Sequence, residues 1–370
     1  MATVLIYNLL HSSCTPKGAQ YIKTLTDMGI SYRLITNNDV PVLSYKFDES
    51  VKKLSKIVKN ENTKYIIGLF EPTLPIIAEV NKQFGLPGHT TESANVSCNK
   101  DAWYNFCIIN NINIPEQFTL TSMEQLQALN YDYIVKPSSG SGGSEHIRKS
   151  TDSINESIFD YNKAFLGELI CQRLLTIEDH FFINFFCCNQ GIYYPQICKV
   201  DTYTNGEPYR YTSEYNNKYV TVGKELIARA MKSLNVSNIH GSAEMIVEDG
   251  KVYWHDANFR QGGYKEMICA SLEGIEYQKE SINAFLDSQY VPTIKWNGIN
   301  TCLRSIDSLP FGKYNIQTND MVHADGNIIT FEVNNTFNYI ITQSTDFNES
   351  INLANKYNNN IRRQQNEPSS

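Results

Sequence analysis

EMIVEDGKVYWHDANFR, residues 244–260, reads as two strands folded about a turn at Asp249-Gly250. The length of that turn decides which side chains meet. A two-residue Asp-Gly turn pairs Glu244 with His255 and puts Glu244 and Asp256 on opposite faces. A three-residue turn, Glu248-Asp249-Gly250 with Gly250 left-handed, pairs Val247 with Lys251. Side chains alternate along a strand, so Glu244, Ile246, Val252, Trp254, Asp256 and Asn258 then share one face. Two carboxylates and an amide oxygen meet at the open end of the hairpin. An all-oxygen set of this kind suits Mg²⁺, which takes carboxylates together with phosphate oxygens and water. Arg260 keeps the same parity if the chain stays extended, and its guanidinium can grip a phosphate or a carboxylate.

Upstream lies IVKPSSGSGG, residues 134–143, between two strand-like runs, YDYIVK and EHIRK. The glycines Gly140, Gly142 and Gly143 let backbone N–H groups approach an anion, and Ser138, Ser139 and Ser141 add hydroxyl donors. Lys136 supplies a positive charge at the base of the loop. The stretch is neither a Walker A loop nor a dinucleotide G-x-G-x-x-G. Alone it is more simply a flexible surface hairpin. Beside an oxygen-rich hairpin it reads better as a phosphate loop.

The rest of the chain supplies the frame. TVLIYNLL, SYRLITN and KYIIGLF read as short buried strands, separated by helical segments. In the first of these helices Ala19, Ile22, Leu25 and Met28 share a face. This alternation implies an N-terminal parallel α/β sheet over roughly residues 1–95. LICQRLL and HFFINFFCC read as strands, the second as a core strand. The helix around VGKELIARAMKSLNV carries the stripe Leu226, Ile227, Ala230, Met231 and Leu234. Past residue 290 strand-like runs alternate with turns, and the tail is polar. The 370 residues carry a net charge of −7 and no long basic stripe, which disfavours a nucleic-acid partner. No run approaches 18 apolar residues, so no membrane span is expected. Nine irregularly spaced cysteines, with no C-x-x-C pair, suggest reduced thiols and a cytoplasmic location.

Taken in order, several of these motifs resemble the ATP-grasp superfamily, over roughly residues 60–290. FEPTLPIIAEVNKQFGLPG resembles the end of that family's first domain. NKDAWYNFCIINNINIP resembles its lysine–helix segment, which makes Lys100 a contact of the nucleotide α-phosphate. IVKPSSGSGG resembles its second lysine and the glycine loop that closes over the β- and γ-phosphates. ICQRLLTIEDHF resembles the hinge that reads adenine through its backbone, here Gln172, Arg173 and Leu175, with Glu178 and His180 near the ribose. The 244–260 hairpin resembles the closing metal motif, with Glu244, Asp256 and Asn258 as ligands of one or two Mg²⁺ ions.

The resemblance implies an α+β core built as two lobes. A pre-ATP-grasp parallel-sheet domain is expected at 1–97, the small lobe at 98–170 and the large lobe at 171–290. A small β-rich C-terminal unit at 291–358 and a disordered tail at 359–370 complete the chain. It implies ATP and Mg²⁺ as cofactors, with Lys136 and Arg260 as catalytic groups. Lys199, Arg210, Arg260, Gly262 and Gly263 are the expected substrate contacts. The implied activity joins a carboxylic acid, an amino acid or small peptide, to an amine through an acyl phosphate. The partners are then small molecules, with a homodimer as a possible assembly. Three departures stand out: Gln172 replaces a common hinge acid, Asp256 replaces the usual bridging Glu, and DANFRQGG lacks the common proline of that motif. The Asp256 change keeps open an ATP-binding regulatory protein that has lost catalysis, and a bicarbonate-activating carboxylase is the alternative enzyme.

Overall fold

The protein is a mixed α/β structure, seen in a computed structural model. The structure describes residues 3–7, 16–42, 46–139, 148–149, 168–202, 208–214, 217–262, 273–296, 298, 300–305, 328–333, 337–344, 348–352 and 354–356.

Three sheets follow one another along the chain. The first holds β1 (Thr3–Tyr7), β2 (Ser31–Ile35) and β3 (Thr63–Gly68), all parallel in the order β2-β1-β3. All five residues of β1 are buried, as a central parallel strand requires. Helices α1 (Pro16–Asp27), α2 (Phe47–Asn60) and α3 (Leu74–Phe84) pack around it. In α1 Leu25 is buried as expected and Ile22 and Met28 pack against the core, but Gly18 and Tyr21 are buried beside them and Ala19 is exposed. Tyrosine turns inward because its hydroxyl finds a partner: Tyr21 reaches the ring of buried His240.

The capped helices α4 (Thr91–Cys98) and α5 (Lys100–Ile109) lead to a four-stranded antiparallel sheet, the small lobe. It is built from β4 (Gln117–Leu120), β5 (Tyr133–Pro137), β6 (Arg148–Lys149) and β7 (Leu169–Arg173), with α6 (Met123–Gln127) beside it. β5 and β6 pair antiparallel across the glycine loop.

The large lobe is an eight-stranded sheet in the order β12-β11-β8-β9-β10-β13-β15-β14. Its strands are β8 (Asp179–Cys188), β9 (Gly191–Thr202), β10 (Pro208–Ser213), β11 (Ile239–Glu248), β12 (Lys251–Asn258), β13 (Asn300–Ser305), β14 (Ile328–Val333) and β15 (Phe337–Ser344). Strands β13, β15 and β14 thus extend the large sheet beyond β10. Helix α7 (Lys218–Leu234) buries the expected stripe, joined by Val220 and Gly223, against one face. Trp103 of α5, Trp254 and Phe259 interlock there, with Trp103 and Trp254 centroids 4.7 Å apart. A second core joins the first sheet and α1 to Phe186, Cys188 and helix α8 (Tyr277–Leu286). Among the described residues all cysteines are free, and no helix is long and apolar enough to cross a membrane.

Candidate functional site

The 244–260 hairpin forms, but its turn is two residues long. Glu248 pairs with Lys251, and both Asp249 (φ 49°) and Gly250 (φ 70°) are left-handed. That is the mirror-image turn whose twist suits a hairpin. By itself this register separates Glu244 from Asp256. A β-bulge between Glu244 and Met245 corrects it: Glu244 pairs with Asp256 while Met245 pairs with Trp254, and His255 is the extra residue. The expected three-residue turn is therefore replaced by a tight turn plus a bulge. The carboxylates still oppose each other, and Asn258 lies opposite Ser242 on the same face. Val252 and Trp254, expected on that face, instead pair with Val247 and Met245 and point into the α7 core; Tyr253 takes the place opposite Ile246.

The bulge is satisfied locally. The Trp254 backbone N–H donates to Asn113 O at 2.8 Å, and its indole N–H donates to Asp256 O at 2.8 Å. The Asn113 side chain holds Val252 O at 3.2 Å. These bonds matter because a buried N–H left without an acceptor costs roughly 1–3 kcal/mol.

The two carboxylates differ. Burial would raise the Glu244 carboxyl, but a 2.8 Å contact with His180 Nε2 and the neighbouring positive charge, that of Lys136 included, bring it down to about 2. Asp256 is held above its ordinary value by burial and by the charge of Glu244, against the pull of Lys136 and Lys100. Two like charges facing each other in a buried site form a place for a cation. Among the described residues no group of three or more His, Cys, Asp or Glu could hold a metal. The pair therefore fits Mg²⁺ that takes its remaining ligands from water and phosphate, and does not fit a metal caged by protein alone.

Basic residues face this pair from three sides. An antiparallel bridge, Asn99 to Ser139, joins the start of α5 to the base of the glycine loop. Lys100 N donates to Ser138 O, and Ser138 N donates to Glu168 O, both at 2.8 Å. Lys136 is buried at 4% exposure and donates to Gln172 Oε1 (3.0 Å) and His255 Nε2 (3.1 Å). Burial lowers its ammonium to about 8, with Asp256 and Glu244 opposing the shift. Arg260 donates to Asn258 Oδ1 at 3.4 Å and forms an ion pair with Glu71. Asn258 in turn donates to Asp256 Oδ2 at 3.2 Å. The structure thus gathers Lys100, Lys136, Ser138, Ser139, Gln172, His180, Glu244, Asp256, Asn258 and Arg260. Gly140, Ser141, Gly142, Gly143 and Gly263 lie outside the described residues. Gly262 packs on the sheet, where a Cβ would lie 2.2 Å from Asn184 Oδ1.

Other expected residues sit elsewhere. Glu178 caps the hairpin turn, accepting from Asp249 N and Gly250 N at 3.0 Å each. Arg173 pairs with Glu248 at 2.6 Å, and Glu248 also accepts from Thr176 N at 2.7 Å, so the segment expected as the hinge is fastened to the hairpin. Leu175 is buried in that segment. His180, expected near a ribose, lies within the gathered site with its Nε2 2.8 Å from Glu244 Oε1. Lys199 and Arg210, expected at the substrate, are on the other face of the sheet. Lys199 pairs with Phe181 and contacts Asp179 (3.4 Å), and Arg210 binds Asp201 (2.8 Å) and Asn355 (3.3 Å). Strand parity places them there, because Glu244 is opposite Phe182 and Cys198. Glu71 and His255 were not anticipated. Nothing in the sequence marks Glu71. His255 had a signal: a tight Asp-Gly turn and two carboxylates twelve residues apart require one extra residue to face each other.

No protein-family model matches the chain, and no curated protein matches it. Solved structures do. An L-amino acid ligase from Bacillus licheniformis superposes with a TM-score of 0.77 at 15% identity, covering 96% of each chain. The N5-carboxyaminoimidazole synthetase from Staphylococcus aureus complexed with ADP gives 0.71 at 12% identity, covering 95% of each chain. A biotin carboxylase from Campylobacter jejuni gives 0.66 at 13% identity, covering 95% of this chain and 89% of the other. The chain has the ATP-grasp fold that these ligases share.

Proposed function

We propose that this chain is an ATP-dependent ligase that joins a carboxylic acid, an amino acid or small peptide, to an amine, releasing ADP and phosphate. The observation that carries the reading is the opposed pair Glu244–Asp256, with Lys100, Lys136 and Arg260 around it. Glu244, Asp256 and Asn258 would hold Mg²⁺, which supplies charge neutralisation for the phosphate chain. Lys100 and Lys136 bind the phosphate oxygens by charge and hydrogen bonds. The hinge at Gln172–Leu175 receives the base between the lobes. Arg260 reaches the carboxylate and the transferring phosphoryl group.

In the first step a carboxylate oxygen attacks the γ-phosphorus, and the bond to the ADP oxygen breaks. In the second the amine nitrogen attacks the acyl carbon, phosphate leaves with that oxygen, and the amine loses a proton. The test is ADP release from Mg·ATP with pooled amino acids and small carboxylic acids, with mass spectrometry of the products. A product mass equal to two substrates less one water supports the reading. Release that depends only on bicarbonate would replace it with carboxylase chemistry, and ATP binding without turnover from any pool would replace it with a nucleotide sensor.

A further inference from the structure

The residue that creates the bulge has no part in the reading above. His255 belongs to β12 of the large lobe, yet its Nε2 lies 3.1 Å from Nζ of Lys136 on β5 of the small lobe. An ammonium only donates, so this nitrogen accepts and the ring is neutral with its proton on Nδ1. The other acceptor of Lys136, Gln172 Oε1, is also uncharged. Gln172 donates in turn to Gln117 (3.4 Å), and Gln117 to Asp101 Oδ1 (3.1 Å) and Lys100 O (3.3 Å). A chain of neutral amides thus links the two lysines, and His255 ends it from across the lobe boundary.

Neutral acceptors do to a buried lysine what a carboxylate cannot. They fix the ammonium and satisfy its N–H groups without adding negative charge to the Glu244–Asp256 pair beside it, in surroundings where charge acts strongly. The strand carrying His255 is itself clamped by Asn113 just ahead of the bulge, at Val252 O and Trp254 N. We infer that His255 is a positioning residue: a fixed neutral acceptor from the large lobe that aims the Lys136 ammonium at the phosphates of a bound nucleotide. The inference rests on the nucleotide-site reading above.

Calorimetric titration with ADP and with adenosine, without Mg²⁺, separates the two ideas. The wild type is expected to bind ADP more tightly than adenosine. His255→Leu removes the acceptor and should raise the Kd for ADP about tenfold, the value of one hydrogen bond to a charged group. Adenosine, which has no phosphate, should bind within about twofold of the wild type. His255→Gln offers a neutral acceptor again and should bring ADP back to within about threefold. If His255→Leu does not fold, His255→Phe takes its place. Unchanged ADP binding, equal weakening of ADP and adenosine, or a Gln variant no better than Leu each overturns the inference while leaving the nucleotide site standing. A wild type that does not prefer ADP to adenosine overturns the nucleotide site, and the inference with it.

Discussion

Acid should loosen this protein well before its carboxylates titrate. His240 is buried where the first sheet meets the large lobe, with its Nε2 2.8 Å from Ser281 Oγ and 3.2 Å from the Tyr21 hydroxyl. Burial and the nearby His89 lower its ring to about 3. Burial lowers His89 to about 4, against the pull of a hydrogen bond with the Phe259 backbone. In an unfolded chain both titrate near 6.5. Below that pH the unfolded state binds more protons than the native state, so stability falls as pH falls. The contribution is fully present above about pH 6.5 and drains away toward the native values. At pH 5 each ring has lost about 1.5 units at about 1.36 kcal/mol each, or about 2 kcal/mol, so the pair costs about 4 kcal/mol. That is a large share of a typical total of about 5–15 kcal/mol. Two carboxyls bound the window. Glu244, lowered to about 2, costs stability only below its ordinary 4.5. Asp256, raised, acts with the opposite sign, and Asp256→Asn removes its contribution. The assay is urea unfolding of the wild type, His240→Gln and Asp256→Asn at pH 7.5, 6 and 5. His240→Gln should roughly halve the pH slope. A wild type that loses less than about 1 kcal/mol between pH 7.5 and 5, or a His240→Gln slope equal to the wild type, refutes the reasoning.

Other predictions concern the site and its frame. Glu244→Gln and Asp256→Asn should each lower Mg²⁺-dependent turnover at least about a hundredfold while circular dichroism stays native; unchanged rates in both would remove the metal assignment. Gly241→Ala places a methyl group 2.1 Å from the Phe185 ring and should cost about 1–3 kcal/mol in urea unfolding.

The sequence made the frame legible wherever hydrophobic period decides structure. The apolar run of β1, the stripe of α7 and the Phe-rich β8 were each readable, and so was the pairing of β5 with β6 across the glycine loop. Reading failed where a single residue shifts a register or where polarity misleads. Tyr21 turns inward only because His240, over two hundred residues away, meets its hydroxyl. The two carboxylates were expected to face each other, but through a longer turn. Backbone sterics favour the two-residue turn, and Asn113 stabilises the bulge that turn then requires. Lys199 and Arg210 were placed at the substrate by resemblance alone, and strand parity puts them behind the sheet. Glu71 reaches Arg260 from a short 3₁₀ turn of the first domain, a contact that only the assembled lobes create.

The central claim is that a carboxylate is activated by phosphoryl transfer at the Glu244–Asp256 site. The most direct test uses a turned-over acid labelled with ¹⁸O in its carboxylate and follows the released phosphate by ³¹P NMR. An acyl-phosphate route predicts one ¹⁸O in each phosphate, lost together with product in Glu244→Gln. Product formed with unlabelled phosphate, or with AMP and pyrophosphate, would contradict the account.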